Sequence, residues 1–408
     1  MRILSVIIGS LCLLSPLLAA GANVDGYEKS ILDSIKNVQQ LEPEQALEST
    51  RQLIQKYPKS RLAHMLYADL LLAKTGPLTQ IGSGIPNDRA LHNFTYEIQQ
   101  RWQHDSDKSH ENMFPGNILF LTDSQPYVIL VDQEKSRVYV YRNENGSLAL
   151  ETDYFITIGL QGSGKQIRGD QKTPIGVYHT TQYIDGSELP DLYGDGAFPI
   201  SYPNAWDQRK QRTGDGIWIH GTPSHTYNRA PRESNGCIVV SNPDFTHIEQ
   251  FIDANINTPV VVAERVNWLT KDQWQQRRSE MLLVLSRWIV DWESLDHDRY
   301  RQNYSQTDYQ AHGRSFKNWD RYKRRINSTK TRIKVDYSDL NIFNYPGEEN
   351  LVLMQFRQSY QSNNLNVKSN KELYWYKADD DWKIVYEGNR SLTPPVSALA
   401  KNESITAP

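Results

Sequence analysis

At 408 residues the chain exceeds what one hydrophobic core usually supports, roughly 250–300 residues, so two or three domains are expected. Hydrophobic residues make up 38%, charged residues 23%, and the formal net charge is −3. That balance gives no whole-chain pull toward nucleic acid or an acidic membrane, and any partner has to be argued from local sites.

The N-terminus departs from this average. Arg2 precedes an apolar run from Ile3 to Leu18, and the small residues Ala20, Gly21 and Ala22 close it in an A-x-A-like pattern. Residues 1–22 are therefore expected to be a secretory signal peptide. The run is shorter than the about 20 residues a bilayer span needs, and no later stretch approaches that length, so no transmembrane segment is expected after signal removal. Of the two cysteines, Cys12 lies in the segment expected to be removed, which leaves Cys237 as the mature protein's thiol. With no disulfide partner in an oxidising compartment, such a cysteine is either buried and inert or present for its reactivity.

Residues 23–113 read as helical. Two amphipathic stretches flank Tyr57-Pro58, and Gly76 follows the second as a stop signal. The pair resembles one tetratricopeptide-type hairpin, but one such unit cannot bury its own apolar face, so a small helical domain or a homodimerisation element is expected.

From 114 to 266 the composition turns to short β-forming runs punctuated by Asn145-Gly146 and Gly162-Ser163-Gly164, which predicts a mostly β domain. A helix rich in Trp, Leu and Arg follows at 267–295 as a connector. Residues 296–390 pass from a polar, aromatic, helical stretch to three strand-like runs, the pattern of an α+β unit. By element order and the closing Trp-Lys-Ile-Val-Tyr strand this last unit resembles the cone-shaped nuclear transport factor 2 fold. The tail, 391–408, reads as disordered. The fold class is thus multidomain: all-α, then mostly β, then α+β.

Three blocks in the β domain carry chemistry: GDQKTPIGVY at Gly169–Tyr178, Ile219-His220-Gly221-Thr222, and Ser234-Asn235-Gly236-Cys237-Ile238. A thiol attacks as thiolate, and a nearby imidazole is a usual way to generate one. His220 ends the alternating run Ile217-Trp218-Ile219, which puts it at a strand edge, and seventeen residues separate it from Cys237, enough for a returning loop. The His-before-Cys order differs from papain-like enzymes, and the caspase signature is missing. Gly236 would permit close backbone approach to a substrate, with the amides of Asn235, Gly236 and Cys237 converging as an oxyanion hole.

Together the three blocks, in this order, resemble the YkuD family of L,D-transpeptidases over about 114–265. The resemblance implies a peptidoglycan enzyme of the periplasm in which Cys237 attacks the carbonyl of the third stem-peptide residue and His220 is the base, oriented by the Gly221 carbonyl. Thr222 and Ser234 would line the substrate site. The family commonly carries arginine two positions after the cysteine, where this chain has Val239; Arg229 or Arg232 would replace it in holding a substrate carboxylate. The thioester would pass to an amine acceptor or to water. The domain order also resembles proteobacterial cell-shape relatives, some of which are L,D-carboxypeptidases. A reading of another class, an envelope scaffold with a vestigial cysteine site, is opposed by the intact His-Gly-Thr and Ser-x-Gly-Cys blocks.

No metal and no cofactor are expected, because His225, His247 and His312 lack ligand spacing. Gly162-x-Gly164-Lys165 lacks the spacing of a phosphate loop and reads as a hairpin bordering the cleft. Residues 299–334 hold eleven Lys or Arg interleaved with Tyr300, Tyr304, Tyr309, Phe316, Trp319 and Tyr322. A solvated helix face with aromatics packed inward is expected there, and nucleic acid is not expected as a partner.

Overall fold

The computed structural model describes residues 26–40, 43–74, 76, 88–107, 109–311 and 313–390. The expected signal peptide with Cys12, His312 and the expected disordered tail lie outside the described residues. Among those described, no helix is long and apolar enough to cross a membrane.

Four helices, α1 (Gly26–Gln39), α2 (Pro43–Lys56), α3 (Arg61–Ala73) and α4 (Asp88–Ser106), open the chain. The break at Tyr57-Pro58 lies between α2 and α3, and Ser60 caps α3 by accepting from the Ala63 N–H at 3.1 Å. The apolar face that a lone hairpin could not bury is covered from within the chain. Tyr27, Ile31 and Ile35 of α1 and Ile98 of α4 pack onto Leu53, Leu62 and Leu66, and Tyr227 of the β domain joins them.

The β domain is built on a five-stranded and a four-stranded sheet. The larger runs in the order Ser147–Phe155, Arg137–Glu144, Tyr127–Asp132, Pro259–Ala263, Gly176–His179; the smaller runs Ile238–Val239, Trp218–His220, Gly196–Pro199, Ile184–Asp185. Their facing sides share one core, in which Ile129, Val131 and Val138 of the large sheet meet Phe198, Ile219 and Ile238 of the small one. Strand alternation therefore sends Trp218, His220, Cys237 and Val239 to the outer face of the small sheet. Two short helices, α5 (Ala205–Arg209) and α6 (Asn242–Ile248), complete the domain.

Beyond it, helix α7 (Lys271–Glu293) is more than a connector. Its Trp274, Met281, Leu285, Trp288 and Trp292 recur at helical spacing and form the centre of the C-terminal core. With α8 (His297–Arg301) and α9 (Phe316–Asn327) it covers one face of a five-stranded antiparallel sheet in the order Ile118–Phe120, Ile333–Asn344, Leu351–Ser362, Asn366–Ala378, Asp381–Asn389. Four strands occupy the space of the three predicted runs, because Asp379 and Asp380 both take positive φ, 47° and 65°, and turn the last run into a hairpin. Tyr300, Tyr304, Tyr309, Phe316 and Trp319 point inward, as the charge pattern predicts, but Tyr322 is exposed with the Arg314 guanidinium over its ring at 4.5 Å. The other face packs on the five-stranded sheet of the β domain, Val128, Leu130, Val177 and Val261 meeting Phe343, Leu353 and Tyr374.

Candidate active site

The strand Trp218–His220 pairs in parallel with Ile238–Val239, with Ile219 opposite Ile238 and His220 opposite Val239. Cys237, one residue before that pairing, falls opposite Trp218. Cys237 and His220 are then diagonal neighbours on one face of the small sheet. His220 is buried, and its Nδ1 lies 2.7 Å from the Gly221 carbonyl oxygen. A proton on Nδ1 donated to that carbonyl leaves Nε2 as the free acceptor.

The resting charge state differs from the thiolate expected of a Cys–His pair. Burial pushes the Cys237 thiol up to about 11, against the smaller pull of the Trp218 N–H, Arg229 and Lys165. Burial likewise pushes His220 down to about 4, although its bond to Gly221 favours the charged ring. Both partners are neutral near pH 7. The Sγ–H donates to the Gly216 carbonyl at 3.5 Å, a contact that a thiolate, itself an acceptor, could not make.

Several predicted site residues brace the loop and do not face the cleft. The Gly236 N–H is taken by Ser234 Oγ at 3.1 Å, which removes it from the expected oxyanion donors. The space a Gly236 side chain would fill holds the Lys172 carbonyl, 2.8 Å from a Cβ, and φ is +124°, so this glycine serves chain packing and not substrate approach. Ser234 Oγ in turn donates to the Cys237 carbonyl at 2.7 Å. Thr222 is buried and donates to the Thr226 and Tyr227 carbonyls, at 3.3 and 3.2 Å, so it shapes the following loop rather than lining a substrate site. Asn235 is exposed and accepts from Gln171 Nε2 at 3.2 Å. The two arginines part company. Arg229 lies partly buried, donates to the Glu233 carbonyl and acts electrostatically on Cys237. Arg232 is exposed and stands over the Tyr96 ring of α4 at 5.7 Å.

Other functional residues escape a reading of motifs. Lys165 is buried, ion-paired to Asp170 at 2.8 Å, and is a second cation acting on Cys237. Its Gly-x-Gly-Lys setting gave a signal that reads as a hairpin. Asp170, held down to about 2, also accepts the Gln166, Ile167 and Lys172 amides at 2.7, 3.1 and 3.2 Å. Asn242 Oδ1 accepts from the Thr222 and Asp195 amides at 2.9 and 3.2 Å, pinning the His-Gly-Thr turn to the neighbouring loop. Tyr193, from that loop, lies edge-on to His220 at 5.0 Å and against Trp218 at 4.7 Å, covering the pair. Trp218 Nε1 is buried without a partner among the described residues.

Comparison with known proteins agrees with this geometry. Residues 126–262 match the L,D-transpeptidase catalytic domain, YkuD, and residues 280–388 the Cds6 C-terminal NTF2-like domain. A search of curated proteins gives no match. Among solved structures, Bd1075 of Bdellovibrio bacteriovorus is 28% identical with a TM-score of 0.60, covering 70% of this chain and 99% of its own. The helical cell shape determining protein Pgp2 of Campylobacter jejuni is 26% identical with a TM-score of 0.57, covering 72% of this chain and all of its own. The buried His220 pinned to its neighbour's carbonyl and the cysteine diagonal to it thus sit in a YkuD L,D-transpeptidase catalytic domain at residues 126–262, which an NTF2-like domain follows at 280–388.

Proposed function

We propose that the protein is a stem-peptide acyltransferase of the periplasm, acting through Cys237 and His220. The observation that carries this is the diagonal placement of the two side chains on one sheet face, with Nδ1 of His220 committed to Gly221. On substrate docking the thiol turns from Gly216 to His220 Nε2, which takes its proton as Sγ bonds to the carbonyl carbon of the third stem residue. The tetrahedral adduct collapses, His220 returns the proton to the leaving amine, and the terminal D-amino acid departs, leaving a thioester on Cys237. Arg229 and Lys165 are the cations suited to the substrate carboxylate, since both act on the cysteine, whereas Arg232 is turned to α4. An amine of a second stem then attacks the thioester, with His220 again the base.

Water in place of the amine gives a second reading, an L,D-carboxypeptidase that trims stems in cell-shape control. The likeness to a helical cell shape determining protein, over all of that protein and 72% of this chain, favours it. Incubation with tetrapeptide muropeptides tests the shared first half. Release of the terminal D-amino acid, abolished in Cys237→Ala, is expected; no release and no acylation by a carbapenem would leave only the scaffold reading.

A further inference from the structure

The loop from Tyr227 to Ser234, which leads into the nucleophile, is held from outside its own domain. Arg61 of α3 makes a two-pronged bond to Glu233, Nη1 to Oε1 at 3.1 Å and Nη2 to Oε2 at 2.6 Å. The same carboxylate accepts the Ala230 N–H at 2.8 Å, and the Glu233 carbonyl accepts from the Arg229 guanidinium. Three further hydrogen bonds run in parallel. Asn228 donates to Glu97 of α4 at 2.6 Å and accepts from the Tyr27 hydroxyl of α1 at 3.0 Å, and the Tyr227 N–H donates to the Lys59 carbonyl at 3.1 Å. Three helices and the α2–α3 turn thus grip eight residues of catalytic loop.

We propose that Arg61 is a positioning residue for the catalytic centre: through Glu233 the helical domain fixes the 229–233 turn and so holds the Arg229 guanidinium toward Cys237. The proposal rests on the reading of Cys237 as nucleophile and Arg229 as its neighbouring cation. A planar fork matched to a carboxylate fixes direction as well as distance, which a point charge on a flexible stem does not. Arg61 is itself half exposed, its side chain 46% accessible, so its role is not to fill a core. The charged and titratable groups facing Cys237 are Arg229, Lys165, His220 and Tyr193; of these only Arg229 is bonded to the turn that Arg61 braces.

The test uses the full chain and its variants Arg61→Ala, Arg61→Lys, Arg229→Ala and the Arg61→Ala/Arg229→Ala pair. Alkylation of Cys237 by iodoacetamide is followed against pH by mass spectrometry of its peptide, beside thermal unfolding. Removing a cation that favours the thiolate moves the profile to higher pH, by roughly 0.3–0.5 unit, a two- to threefold slower reaction at a fixed pH below the midpoint. Arg61→Ala is expected to move it in the same direction as Arg229→Ala, the pair no further than Arg229→Ala alone, and Arg61→Lys to recover only part. A lower unfolding temperature with an unmoved profile in Arg61→Ala, while Arg229→Ala shifts it, overturns the positioning role and leaves the site reading intact. An unmoved profile in Arg229→Ala overturns both.

Discussion

Thr173 Oγ1 donates to the Gly236 carbonyl at 2.9 Å and accepts the Gly159 N–H at the same distance. One fully buried hydroxyl therefore ties the loop of the first sequence block to the turn that precedes the nucleophile. In Thr173→Val the side-chain volume stays and both bonds go, leaving a buried N–H and a buried carbonyl at about 1–3 kcal/mol each. The variant is expected to unfold at lower temperature and to lose at least about tenfold in kcat/KM on tetrapeptide stems, because a shifted turn carries Cys237 with it. Full activity would remove the motif threonine from its assigned place.

Gly221 supplies the carbonyl that orients His220, and it has no room for a side chain. A Cβ there would lie 2.1 Å from Asn242 Oδ1. Gly221→Ala must push Asn242 off the Thr222 and Asp195 amides, an overpacking cost of typically about 1–3 kcal/mol. Since both changes break the same contacts, Gly221→Ala/Asn242→Ala is expected to be no less stable than Asn242→Ala alone. Denaturant midpoints of the three variants check this; additive losses would mean that the glycine is needed for something else.

The parts of this site that were legible in the sequence are those fixed by chain order and alternation. Ile217 and Ile219 alternating with Trp218 and His220 give both the inward core face and the outward catalytic face, and the Ser-x-Gly-Cys block marks the turn. What each polar atom does was not legible, because the Ser234 and Thr222 hydroxyls are spent on backbone groups within five residues that only the loop conformation brings near, while Gly236 and the Thr222 N–H meet residues distant in sequence: Thr173, Lys172 and Asn242. The helical hairpin raised a sound question about its apolar face, but the answer, α1 and α4 with Tyr227 of the β domain joining them, depends on tertiary packing. The same holds for the helix at 271–293, whose amphipathic Trp and Leu pattern shows that it packs but not on what. Asp379-Asp380 is different. Two adjacent aspartates between strand-like halves are a turn signal that sequence reading can use.

The neutral resting pair has a pH signature. With the thiol raised to about 11, alkylation of Cys237 should climb steadily through the alkaline range, with no plateau between about pH 5 and 8 such as a thiolate–imidazolium pair gives. With His220 lowered to about 4, the base is already deprotonated well below neutrality, so the acid limb of kcat/KM should lie below about pH 5. The sign for stability follows. Because the folded-state value is below that of an exposed imidazole, the unfolded chain takes up the proton first, and the fold loses stability as pH falls from about 6.5 toward about 4. A flat alkylation rate across neutral pH would show the ion pair already formed.

The fate of the thioester turns on Tyr193. Water at tens of molar competes with any amine acceptor unless the acceptor is held close and water is kept out. The Gly- and Asp-rich loop at 185–198 carries carboxylates whose charge would suit an incoming ammonium. Asp185 instead accepts from Ser187, with its N–H at 2.8 Å, and Asp191 from the Ser224 N–H at 3.1 Å, so both shape the loop. What the loop brings to the site is the Tyr193 ring, packed on His220 and Trp218 over Cys237. Tyr193→Phe keeps that ring and should leave the ratio of cross-linked dimer to tripeptide monomer near the wild-type value. Tyr193→Ala opens the thioester to solvent, and the ratio should fall severalfold while the rate of Cys237 acylation changes less. Mass spectrometry of muropeptides after incubation with tetrapeptide donor and excess acceptor reads both quantities. An unchanged ratio in Tyr193→Ala means that the ring does not gate water. If the wild-type enzyme forms tripeptide monomers alone, with Cys237 demonstrably acylated and acceptor abundant, the acyl group goes to water by design and the carboxypeptidase reading takes the place of transfer.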